Sequence, residues 1–213
     1  MSTRRLSVLD TSFLQLETTR TPMHVAGLMI FEAPSDAKPA FVSELVQRLR
    51  ACQVFRNPWN YRLPRAGRLQ FRPQLEEVHD IDMEYHVRHL ALPHPGGERE
   101  LGQMIARLHS QRLEQRKPLW ELHVIEGLEN RRFALYLKIH HALADGMSAT
   151  KLMMRALSTE ADALGQLPFW AAVDESARDT PRAQKRQTQK ASLPGPADML
   201  AVAKAVTGAW TRK

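Results

Sequence analysis

The chain reads as an α/β fold, a mixed sheet flanked by helices, and three observations predict it. Short apolar, β-rich runs alternate with amphipathic helical spacing from Leu6 to Ser158. Two of those runs, Trp120–Glu126 and Arg132–Ile139, flank a charged turn segment, as in a hairpin. The composition, 43% hydrophobic and 25% charged over 213 residues, is that of a chain able to bury a core.

Taken in order, Leu6–Glu17 opens on a capping residue and sets Leu9, Phe13 and Leu16 on one helical face. Met23–Phe31 is apolar, short and bounded by Pro22 and Pro34, which predicts a strand. Lys38–Cys52 shows helical spacing through Phe41, Leu45, Val46 and Leu49, with arginines opposite. Tyr61–Phe71 is mixed and turn-rich, and Tyr85–Leu92 alternates like a strand. Glu98–Gln115 is the clearest amphipathic helix, with Leu101, Met104, Ile105, Leu108 and Leu113 on its buried face, and Pro118 stops it. Another helix is predicted from Ser148 to Ser158. Beyond it the composition changes. Residues 1–170 form the predicted domain, 171–197 a polar linker and 198–213 an amphipathic helix.

Several classes are excluded. One cysteine, Cys52, rules out a disulfide framework and suits a reducing, cytoplasmic compartment. No apolar run approaches the roughly 20 residues of a membrane span. The start, MSTRRLSVLDTSF, lacks the apolar segment of a secretory signal. The net charge of +7 favours anionic partners. The basic residues are nevertheless scattered and match no nucleic-acid-binding motif, so no nucleic-acid partner is expected.

The chemistry lies in His140-His141-Ala-Leu-Ala-Asp145-Gly146, at the end of a β-like run and ahead of a helix. Catalytic groups favour such strand ends in α/β folds. Successive strand residues point to opposite faces, so one histidine should face a cavity while the other packs or braces. Asp145 is placed to fold back and orient a ring or anchor the loop. Gly146 allows positive φ or close approach. A neutral imidazole is the natural base for an alcohol proton near neutral pH. His, His and Asp are also zinc-type ligands, but adjacent strand histidines diverge and no suitably spaced third ligand follows, so no metal is expected.

These residues resemble the HHxxxDG motif of the CoA-dependent acyltransferase superfamily. Leu6–Glu32 is similar to the amino-terminal signature of bacterial wax ester synthase/acyl-CoA:diacylglycerol acyltransferases, and Lys117–Leu128 to their PLW motif. The resemblance implies a chloramphenicol acetyltransferase-like lobe that uses acyl-CoA as substrate, with no cofactor. It implies His141 as general base toward a long-chain alcohol or diacylglycerol, His140 in support, and Asp145 and Gly146 shaping the loop. Pro118, Leu119 and Trp120 would serve structurally or shape the acceptor site. No acyl-enzyme is implied, and the sequence has no GxSxG elbow. Family members carry two lobes, and this chain resembles the first plus the start of the crossover. A complementary carboxy-terminal lobe or chain is thus an expected partner, with peripheral attachment to a membrane or lipid-inclusion surface as a further expectation. The alternative expectation is an incomplete, non-catalytic lobe that binds lipid or that partner.

Overall fold

Ser7 starts the first helix, α1 (Val8–Leu16), through a capping box: its Oγ accepts from the Asp10 N–H at 3.0 Å, and the Asp10 carboxylate accepts from the Ser7 N–H at 3.1 Å. The computed structural model describes residues 3–64, 73–144, 150–151, 153–154, 156–158 and 167–172. All belong to the compact unit Met1–Val173. Apart from Ala171 and Ala172, the predicted linker and the final helix lie outside these residues. Ala171 itself is buried, so the packed region runs slightly past the predicted boundary.

Two sheets form. The smaller pairs β1 (Thr3–Arg5), β4 (Gln74–Glu77) and β3 (Tyr61–Arg62) in the order β1-β4-β3. The larger contains β2 (His24–Glu32), β5 (Val87–Ala91), β6 (Trp120–Leu128) and β7 (Arg132–His140), in the order β2-β7-β6-β5. Its β5–β6 pair is parallel and its other pairs antiparallel, giving the predicted mixed sheet. Helices α2 (Phe41–Ala51), α3 (Met83–His86) and α4 (Glu98–Ser110) complete the described elements. Thr150, Lys151, Met153 and Met154 are helical, within the predicted 148–158 segment.

The period-two rule divides the large sheet into two faces. One carries Trp120, Leu122 and Val124 of β6 against Leu137 and Ile139 of β7, and it packs with Trp59, Phe169, Trp170 and α2 into the main core. Trp120 is fully buried, stacked on Trp170 at 5.3 Å, and its Nε1 donates to the Trp59 carbonyl at 2.8 Å. The opposite face carries Ile125, Ala134 and Tyr136 under Leu101, Met104, Ile105 and Leu108 of α4. The β6–β7 hairpin closes on Asn130 and Arg131, whose φ values of 60° and 56° are those of a type I′ turn.

Three expectations change. On α1, Leu9 and Leu16 are 64% and 62% exposed; Thr11 and Leu14 make the inner stripe, and of the predicted row only Phe13 turns inward. The strand predicted from Tyr85 begins at Val87, because Asp82 caps the short α3 by accepting from the Tyr85 N–H. Helix α4 stops at Ser110, five residues before the predicted end at Gln115. The reason is Lys138 of β7, whose Nζ donates to the carbonyls of Leu108 at 2.8 Å and Gln111 at 2.6 Å. The Leu108 carbonyl also accepts from the Gln111 N–H at 3.4 Å, and a cation presented from the sheet closes the helix over these terminal carbonyls.

Candidate active site

His140 is the last residue of β7 and His141 the first of the turn that follows it. His140 is wholly buried and His141 is half-buried. A tight turn follows: the Leu143 N–H donates to the His140 carbonyl at 2.9 Å, and the Ala142 N–H donates to His140 Nδ1 at 3.0 Å. A backbone N–H can only donate, so Nδ1 is an acceptor and the neutral ring carries its proton on Nε2. That Nε2 lies 3.7 Å from Oε1 of Glu17, a buried carboxylate at the end of α1.

His141 is gripped on both its backbone and its ring. Its N–H donates to the Met23 carbonyl at 3.0 Å, just before β2. Its imidazole stacks on Phe13 of α1 with centroids 4.6 Å apart and planes at 18°. The predicted Pro118-Leu119-Trp120 segment is buried, and the Leu119 carbonyl accepts from the His140 N–H at 3.0 Å. The segment therefore braces the backbone that carries the histidines, while the Trp120 ring belongs to the main core. Asp145 and Gly146, also predicted as site residues, lie outside the described residues.

On the face of the sheet that carries Leu137 and Ile139 is a cavity of about 230 Å³ lined by Val25, Gly27, Leu137, Ile139 and Met153 among others. A larger apolar cavity of about 320 Å³ lies farther along the same face, between the sheet, α2 and residues 167–170. Leu137 and Met153 line both. Gly27 matters to this boundary: a Cβ there would come within 2.8 Å of the Met153 Cε.

The opposite face holds a polar network that the sequence reading did not single out. Glu121 is its hub, accepting from the Tyr85 hydroxyl at 3.0 Å and Arg88 at 3.2 Å, and facing His123 at 3.2 Å and Lys138 Nζ at 3.8 Å. Burial alone would raise the Glu121 pKa. The His123 hydrogen bond and the Lys138 and Arg88 charges outweigh it and hold the carboxyl at about 2. The signal was present in alternate polar positions, Glu121 and His123 on β6 and Lys138 on β7, which all point the same way.

Three buried histidines are held at about 4, well below the ordinary value of 6.5. Burial is the main cause in each; Lys138 and His109 add to it at His24, and His141 at His140. The unfolded chain protonates these rings near pH 6.5 while the native chain resists until about 4. Stability present above pH 6.5 is thus lost as the pH falls toward 4, each ring alone giving a slope of about 1.4 kcal/mol per pH unit. Urea midpoints at about pH 7, 5.5 and 4 are expected to decline in that order, and a flat profile would contradict this.

A family model described as the wax ester synthase/diacylglycerol acyltransferase catalytic domain matches residues 6–213. The chain belongs to this family. Among curated relatives, a putative diacylglycerol O-acyltransferase of Mycobacterium tuberculosis is 47% identical over 158 residues, covering 74% of this chain and 32% of that protein. The O-acyltransferase WSD of Acinetobacter baylyi is 38% identical over 176 residues, covering 82% and 37%. Among solved structures, the wax ester synthase/diacylglycerol acyltransferase of Marinobacter aquaeolei VT8 superposes with a TM-score of 0.73 at 40% identity, over 78% of this chain and 41% of that one. The starter condensation domain of rhizomide synthetase, at 17% identity and TM-score 0.51, shares the fold. The matched region is about a third of each of these curated family members. Among the described residues, no helix is long and apolar enough to cross a membrane.

Proposed function

We propose that this chain supplies the base-bearing part of an O-acyltransferase that moves a fatty acyl group from acyl-CoA to a long-chain alcohol or diacylglycerol. The observation that carries the reading is the division of labour at the end of β7. His140 is buried and fixed in one tautomer, while His141 is half-buried and ring-stacked, two residues beyond Ile139, which lines an apolar cavity.

In the proposed reaction His141 takes the proton from the acceptor hydroxyl as its oxygen attacks the thioester carbonyl. A C–O bond forms, the C–S bond breaks, and the proton passes from His141 to the departing CoA sulfur. The products are an oxoester and free CoA, and no acyl-enzyme intervenes. The apolar cavities beside Leu137 and Met153 suit an acyl tail, since methionine adapts to chains of differing shape. The rest of the substrate channel is proposed to come from the family sequence beyond the matched third, whether on this polypeptide or a complementary one. Attachment to lipid surfaces would then be peripheral, through apolar and basic side chains.

The test measures CoA release from palmitoyl-CoA with hexadecanol or dioctanoylglycerol, using the chain alone and with the remaining family lobe. Acceptor-dependent release is the expected result. Stoichiometric palmitoyl binding with no release under any of these conditions would overturn the catalytic reading and leave a lipid-binding lobe.

A further inference from the structure

Glu17 is an anomaly in physical terms. It caps the C-terminal end of α1, where a helix macrodipole disfavours negative charge, and its side chain is fully buried. A carboxylate survives in such a place when specific donors surround it. Two hydrogen bonds are clear: the Met23 N–H donates to Oε1 at 3.2 Å, and Gln115 Nε2 donates to Oε2 at 2.7 Å. The third neighbour is the His140 ring, whose Nε2 has no hydrogen-bond partner and faces Oε1 across 3.7 Å.

Each of these lines leads to the histidine pair. Met23 donates its N–H to the Glu17 carboxylate and accepts the His141 N–H on its carbonyl. The Glu17 N–H donates to the carbonyl of Phe13, and the Phe13 ring is the surface on which His141 lies. The Nε2–H of His140 points its positive end toward the carboxylate, while Nδ1 secures the turn through Ala142. One residue thus touches the helix end, the strand start and the inner histidine.

Resting on the reading of His141 as the base, we propose that Glu17 is a positioning residue for the acyl transfer. Its carboxylate faces the Nε2 edge of a His140 ring whose tautomer Ala142 fixes from the other side, and its bond to Met23 sets the backbone that carries His141. Glu17→Gln removes the charge while keeping the volume and an acceptor for Met23.

Two measurements decide the matter. Nitrogen-15 spectra of the histidine rings in the 213-residue chain should show His140 as the neutral Nε2–H form at neutral pH. In Glu17→Gln that form should persist, held by Ala142, while the His140 Nε2 and His141 ring signals are displaced. In the assembled acyltransferase, Glu17→Gln should lower kcat roughly ten- to a hundredfold with KM for acyl-CoA little changed, as for a misplaced catalytic group. Glu17→Asp, which restores the charge, should recover part of the loss.

An Nδ1–H or mixed His140 in the wild type overturns the proposal without any variant. Unchanged ring signals in a folded Glu17→Gln protein do so as well. The spectra need no turnover, so Glu17-dependent ring signals in a protein that releases no CoA support the assignment of Glu17 to the histidine pair and count only against the acyltransferase reading.

Discussion

CoA release is expected to fall roughly 100- to 10,000-fold when His141 is replaced by alanine in the assembled enzyme, the range typical of a lost general base. The loss should appear in kcat, with KM for acyl-CoA nearly unchanged, because the ring acts on the acceptor proton and not on the CoA moiety. Half-buried and held chiefly by its stack on Phe13, the side chain contributes little to the core, so melting temperature should stay near that of the wild type. His140→Ala should behave differently. It removes the Nδ1 acceptor of the Ala142 N–H and opens a void beside buried Glu17, so stability and rate should fall together. Comparing the two variants by denaturation and initial rate separates a chemical role from a structural one. Equal turnover by His141→Ala and wild type would remove this histidine from the reaction.

The largest effect on stability is expected at Glu121. Alanine there leaves Lys138, 1% exposed, without its carboxylate, and strips partners from Arg88, His123 and the Tyr85 hydroxyl. Breaking a buried charge pair from one side costs about 3–5 kcal/mol, a large part of the stability of a domain this size. Urea denaturation should show the midpoint falling by the corresponding amount with the slope conserved. The double variant Glu121→Leu with Lys138→Met should recover part of the loss, because an apolar pair of similar volume leaves no bare charge. If Glu121→Ala unfolds at the wild-type midpoint, the hub contributes no net stability and its attraction only offsets desolvation.

Much of this was legible in the sequence because its causes are local. The hairpin follows from charged turn chemistry between two β-rich runs. Other features depend on partners distant in sequence. Nothing within α4 says that it ends at Ser110; Lys138 does, from another element. Leu9 and Leu16 fit a buried stripe by spacing, yet the capped helix turns Thr11 and Leu14 inward. Glu17 looked like a polar helix end, and only the fold reveals it beneath His140. The strands β1 and β4 are too short to carry a periodic signal.

The position of β2 has a consequence for how the protein comes into being. Among the described strands its one sheet neighbour is β7, which emerges from the ribosome after every other strand of the sheet. During synthesis β2 must therefore wait, with its apolar residues unpaired, until the chain through His140 is available. The pairing that ends this wait aligns His24 with His140 and brings Met23 to the His141 N–H. Closure of the sheet and assembly of the histidine pair are then one event, so a nascent chain stalled before His141 has neither.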